Sequence, residues 1–173
     1  MALLTKRRFA FAALLFLSVP GCRGQDGQNR LEYQVKAAFL FNFLKFVEWP
    51  QAAGATPWVI GVLGHDPFGE LLDETVKGKI VSGRPVEVRR YSRLSDVKGC
   101  NILFIGGADF GRIVIPAQPG LLTVGEAPGF LKSGGIINFY IEDNRVHFEI
   151  RPTVARSAGL RVSSQLLKLG RPL

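Results

Sequence analysis

The residues able to do chemistry are few and widely spaced. The only two histidines are His65 and His147, and the only two cysteines are Cys22 and Cys100. His65 lies in Gly64-His65-Asp66-Pro67, a loop leaving an apolar run. A comparable run ends in Gly106-Gly107-Ala108-Asp109-Phe110-Gly111. Loops at strand ends are where α/β sheets bind ligands, so His65 and Gly107 are the candidates for lining one small-molecule crevice. The glycine spacing is not that of a dinucleotide fingerprint, and no phosphate-loop lysine accompanies it. His147 alternates with Val146 and Phe148, which places it on the solvent side of a half-buried strand. Neither histidine has the spacing of a metal site, Cys100 has no paired base in sequence, and no serine elbow is present. These patterns point to no catalytic residue, no metal and no cofactor, and so to a protein that is not an enzyme.

The elements that position these residues follow an export segment. Lys6, Arg7 and Arg8 precede an apolar stretch from Phe9 to Val19, and Val19-Pro20-Gly21-Cys22 closes it with small residues. This is the layout of a signal peptide, either an ordinary one or the lipoprotein kind in which Cys22 receives lipid. The lipoprotein form is the expectation here, with 1–21 as the signal, 22–30 as a polar tether and 31–173 as a single domain. No later apolar stretch is long enough to span a bilayer. The net charge is +8, and three of the positive charges fall in the signal segment. The remaining basic residues are scattered without aromatic interleaving, which suits a solvated surface and argues against nucleic acid. If Cys22 carries lipid, Cys100 has no partner in the chain, and the plain expectation for it is a buried thiol.

Residues 31–49 form the strongest helical pattern, ended by Trp49-Pro50. Leu31, Val35, Ala38, Phe39 and Phe46 make one apolar stripe, assigned to the core. Leu40, Phe41 and Leu44 lie off that stripe: either the chain's own C-terminal helix covers them, or they are the candidates for a partner interface or a homodimer contact. Glu32 and Lys36 add a favourable i,i+4 pair. Apolar runs at 58–63 and 101–105 read as strands covered on both faces. An alternating strand follows at 85–91 and a short one at 121–124. A hairpin spans 136–150 and turns at Asp143-Asn144. Helices follow at 154–158 and 163–169, the second capped by Ser163 or Ser164. The expected fold class is α/β: a mixed β-sheet with helices packed on its faces and an antiparallel hairpin in the C-terminal half.

Several blocks carry a family resemblance. Residues 32–43 followed by Lys45-Phe46-Val47-Glu48-Trp49-Pro50 resemble the opening helix of the YfiR family of periplasmic proteins. The resemblance continues through Gly99-Cys100-Asn101-Ile102-Leu103-Phe104-Ile105, Leu122-Thr123-Val124-Gly125-Glu126, residues 134–139, Val146-His147-Phe148-Glu149-Ile150 and residues 158–169. The resemblance implies a periplasmic regulator that represses a membrane diguanylate cyclase from its periplasmic side. The expected partner is therefore an inner-membrane signalling protein with a periplasmic region, with a lipid anchor holding the chain to a membrane. Three features depart from the family pattern: the cysteines for its disulfides are absent, Cys22 suggests an anchor, and the segment from Gly106 to Gly120 is short. The alternative function is a small-ligand-binding envelope lipoprotein that uses the crevice at His65 and Gly107.

Overall fold

The computed structural model describes residues 23–49, 57–107, 115 and 118–173. The signal segment, Cys22 and residues 108–111 of the second glycine loop lie outside the described residues. The elements in chain order begin with α1 (Arg23–Phe46), β1 (Val47–Glu48), β2 (Trp58–Gly64), α2 (Glu70–Val76), β3 (Ile80–Val81) and β4 (Arg84–Tyr91). They continue with β5 (Ile102–Gly106), β6 (Leu122–Gly125), β7 (Ile137–Glu142), β8 (Arg145–Ile150), α3 (Pro152–Ser157), β9 (Arg161–Val162), α4 (Ser164–Leu169) and β10 (Arg171–Pro172).

The expected α/β class with a mixed sheet is what the chain forms. Eight strands run in the order β10-β8-β7-β6-β5-β2-β4-β3. The block β4-β2-β5-β6-β7 is parallel, while β3 on β4 and β8 on β7 are antiparallel. The two apolar runs, β2 and β5, are neighbours at the centre, as a run buried on both faces requires. Side chains of Ile60, Val62, Ile102, Phe104, Phe139 and Phe148 join the core beneath α1. Leu63, Leu103 and Ile105 point the other way, into a second core with Phe130 and Leu131. Phe130 sits so tightly that a Cβ on Gly125 or Gly135 would fall 2.6 or 2.2 Å from its ring. No helix among the described residues is long and apolar enough to cross a membrane.

The hairpin and the last helix follow their local chemistry. Asp143 and Asn144 take φ of 49° and 57°, the left-handed values that a two-residue turn of this hand needs. Ser163 caps α4, its hydroxyl oxygen accepting from the Leu166 N–H at 3.2 Å. Asp66 acts one step earlier than a helix cap. Its carboxylate accepts from the N–H groups of Phe68 and Gly69, closing a turn before α2 begins at Glu70.

The first helix corrects the sequence expectation in three ways. It starts at Arg23, so residues 23–30, expected as a tether, are its first two turns. It ends at Phe46, because Val47 and Glu48 leave to pair with Val162 and Arg161 of β9. Its inward face is also turned from the one expected, of which only Phe39 and Phe46 pack, partly buried, against the core. Ala37, Leu40, Phe43 and Leu44 are buried, whereas Leu31 is 64% and Val35 44% exposed, and Ala38 is exposed too. Both stripes have helical spacing, so periodicity alone does not choose between them. The sheet chooses, because Phe43 stacks on Phe139 and meets Phe148 edge-on, at ring separations of 6.0 and 5.4 Å. Leu40 and Leu44 are thus core residues and offer no surface to a partner. Phe41 is half-buried against the same core, with the Lys45 ammonium 4.3 Å from its ring centre.

Candidate functional site

Counted from the first parallel strand, the block β4-β2-β5-β6-β7 runs 2-1-3-4-5, so the chain reverses direction of growth between β2 and β5. Carboxyl ends of parallel strands at such a switch point splay their loops apart and leave a crevice. Here β2 ends in Gly64-His65 and β5 in Gly106-Gly107. The two strand ends meet where the His65 N–H donates to the Gly106 carbonyl at 3.4 Å. A Cβ on Gly106 would lie 2.0 Å from the His65 carbonyl oxygen, so only glycine permits this approach.

The crevice has a volume of about 430 Å³, and both His65 and Gly107 line it. The structure therefore brings these two sequence candidates together. The rest of the lining comes from α1, the loop after β6, and the end of β7, and its charged members are Glu32, Lys36 and Glu126. The Lys36 ammonium donates to the Glu126 carboxylate at 2.6 Å and to Glu32 one helical turn earlier. The Tyr33 hydroxyl donates to Glu126 at 3.2 Å. Its ring meets Phe68 edge-on at 5.5 Å, and the ammonium stands 4.5 Å from its centre. Burial, together with the Glu126 carboxylate beside it, pushes the Tyr33 phenol well above its usual range.

Lys36 is only 3% exposed, which is uncommon for lysine and is offset by its two carboxylate partners. Sequence reasoning found Glu32 and Lys36 as a favourable i,i+4 pair, and it gave Glu126 no role beyond a place in a block of family resemblance. One signal was present: Lys36 is beside Ala37 on the stripe that carries Leu40 and Leu44, so a buried stripe buries it too.

The remaining candidates lie apart from this constellation. Cys100 sits under β2, its thiol donating to the Ile102 carbonyl at 2.8 Å with the Val59 carbonyl 3.7 Å away. Burial pushes that thiol up to about 12, far from the thiolate a nucleophile needs. His147 stacks on Tyr140 across the hairpin at 5.5 Å. Among the described residues, no group of three or more His, Cys, Asp or Glu could hold a metal ion.

A search of curated proteins returns no match. The family model described as YfiR/HmsC-like matches residues 33–171, from the tyrosine of the crevice to the last strand of the sheet. That match takes in the sheet, its switch point and the buried lysine, and on it the chain belongs to the YfiR/HmsC-like family.

Proposed function

We propose that this protein is a non-catalytic regulator that binds the periplasmic part of an inner-membrane signalling protein such as a diguanylate cyclase. The observation that carries the reading is the family match over residues 33–171, since at family level these are periplasmic regulators associated with such a cyclase. An apolar row on α1 supports it. Leu31 and Val35 are exposed and line a groove with Ile141 and Val146 of the hairpin, a cluster suited to protein contact. Lipid on Cys22 would hold the chain to a membrane of the envelope.

The test is affinity capture from detergent-solubilised envelope, with the wild type and with Leu31→Ser/Val35→Ser as bait. A membrane protein with a periplasmic region should co-purify with the first and not with the second. Failure to capture one, with unchanged cellular cyclic-di-GMP on deletion of the gene, would overturn the reading. Cys22→Ser should release the protein from the membrane fraction or stall its processing, and unchanged fractionation would remove the anchor from the proposal.

A second reading, a small-ligand-binding envelope protein, is favoured by the crevice at the switch point. It is compatible with the first, because a ligand there would touch α1, the helix that carries the apolar row.

A further inference from the structure

The switch-point crevice has a definite electrostatic sign. The basic residues of the chain outnumber the acidic ones by 22 to 14, yet among the described residues the charged side chains lining this cavity are one lysine and two glutamates. Lys36 is buried and already engaged by both carboxylates. Glu32 and Glu126 are paired with it but less buried: their side chains are 26% and 22% exposed, and both line the cavity. A carboxylate has about four lone-pair positions, so Glu32 retains acceptor capacity after bonding the ammonium, and Glu126 after bonding the ammonium and the Tyr33 hydroxyl. Among the described residues, the formal sum at the crevice is one negative charge in excess. An anionic ligand would have to reach Lys36 past two carboxylates, whereas a cationic ligand would meet them directly.

The walls add apolar surface to that charge. Tyr140, Pro128 and Ile141 line the same cavity and can cover a ligand's apolar stem. His65 and Gly106, where the two strand ends meet beside the cavity, are held together by backbone contact.

We infer that the crevice binds an organic cation: one ammonium or guanidinium group on an apolar or aromatic stem, with the charged head against Glu126 and Glu32. The inference rests on the small-ligand reading of the crevice and names the ligand class. Its chemistry has two sources, a free amine or a lysine or arginine side chain presented by another protein. In either case the bound cation competes with Lys36 for the same carboxylates, and so acts on the contact that ties α1 to the sheet.

The experiment is an NMR titration of the processed protein with 2-phenylethylamine, its anionic counterpart 3-phenylpropionate, and a capped Gly-Lys-Gly tripeptide. Phenylethylamine should shift the amides of Tyr33, Lys36, His65 and Glu126. Glu126→Gln and Glu32→Gln should each weaken it at least about tenfold, as loss of a charged hydrogen bond does. Melting temperatures of both variants show that the fold is kept, and Glu32→Gln, on the helix surface, serves if Glu126→Gln unfolds. Binding of the amine alone assigns a free ligand, and comparable binding of the tripeptide assigns a side chain; both support the inference. Binding of phenylpropionate in place of the amine overturns the cation and keeps the crevice as a ligand site. Amine binding that both variants leave unchanged overturns the site. No binding by any of the three overturns the inference and the small-ligand reading together.

Discussion

The Lys36 ammonium and the Glu126 carboxylate meet at 2.6 Å, closing a contact between residues ninety positions apart. One is on α1 and the other directly follows β6, so a single ion pair joins the helix to the carboxyl edge of the sheet. The two partners are unequal. Lys36 is almost fully buried, whereas Glu126 and Glu32 keep some contact with water. Desolvation therefore falls on the lysine, and the carboxylates are what make its burial tolerable.

That asymmetry predicts an order of stabilities. Glu126→Ala leaves a buried ammonium with Glu32 alone and should cost about 1–3 kcal/mol, the price of an under-satisfied charged group. Lys36→Met keeps the stem's volume and leaves two carboxylates that water can reach, so it should cost less. Urea denaturation of the two variants measures both. The reverse order would show that the pair is held for the carboxylates' sake and not for the lysine's.

The two faces of α1 should respond in opposite ways. Phe43 is fully buried and packs on Phe139 and Phe148, so Phe43→Ala should cost about 3–5 kcal/mol. Val35 is exposed, and Val35→Ala should change stability by no more than about 0.5 kcal/mol. Thermal or urea unfolding checks the pair in one experiment.

These residues show how far the sequence could be read. The central strands were legible because β2 and β5 are short, continuous apolar runs, a pattern suited to strands buried on both faces. The hairpin was legible because Asp143 and Asn144 are suited to the backbone angles its turn requires. Half of the crevice was legible because loops at strand ends line such sites, which singled out His65 and Gly107. The face of α1 was not. Val35 and Leu40 are both apolar and both fit a helical period, and only the phenylalanines of β7 and β8 decide between them. Lys36 followed the same fate, since its burial depends on Glu126, whose position is set by strand order. The short pairings of β1 with β9 and of β10 with β8 span two residues each and carry no periodic pattern at all.

Cys100 should respond to pH in a defined window. Its folded thiol is held up to about 12 against an ordinary value of 9.0. The folded state keeps this proton when the unfolded state has lost it. The contribution is therefore complete below about pH 9 and is lost as pH rises toward 12, at up to about 1.4 kcal/mol per unit. Tyr33 and Tyr91, whose phenols are also raised, join only from their ordinary value of 10.0 upward. The informative interval is thus pH 9 to 10, where Cys100→Ala should lose stability less steeply than the wild type. The same burial should make the native thiol slow toward a disulfide reagent at pH 8 and fast once urea unfolds the chain. Equal rates in both states would mean that the thiol is not sequestered under β2.

The final prediction concerns the row that α1 leaves outward. Leu31, 64% exposed, and Val35, 44% exposed, are one turn apart, and Ile141 of the hairpin, 47% exposed, lines the same groove. Three large apolar side chains in one groove gain nothing for the isolated fold, since water already covers much of each. Burying them against a partner would contribute on the order of 1–2 kcal/mol per side chain at about 25 cal/mol per Å². Replacing Leu31 and Val35 together with serine should therefore leave the melting temperature within a few degrees of the wild type and weaken partner capture at least about tenfold. Phe41→Ser is the internal contrast, because that ring is half-buried against the core and its loss should lower the melting temperature whatever happens to binding. Capture and melting temperature measured on the same preparations separate the two effects. If the serine pair melts early, the row belongs to the fold; if it melts normally and still captures the partner in full, the contact lies elsewhere on the surface.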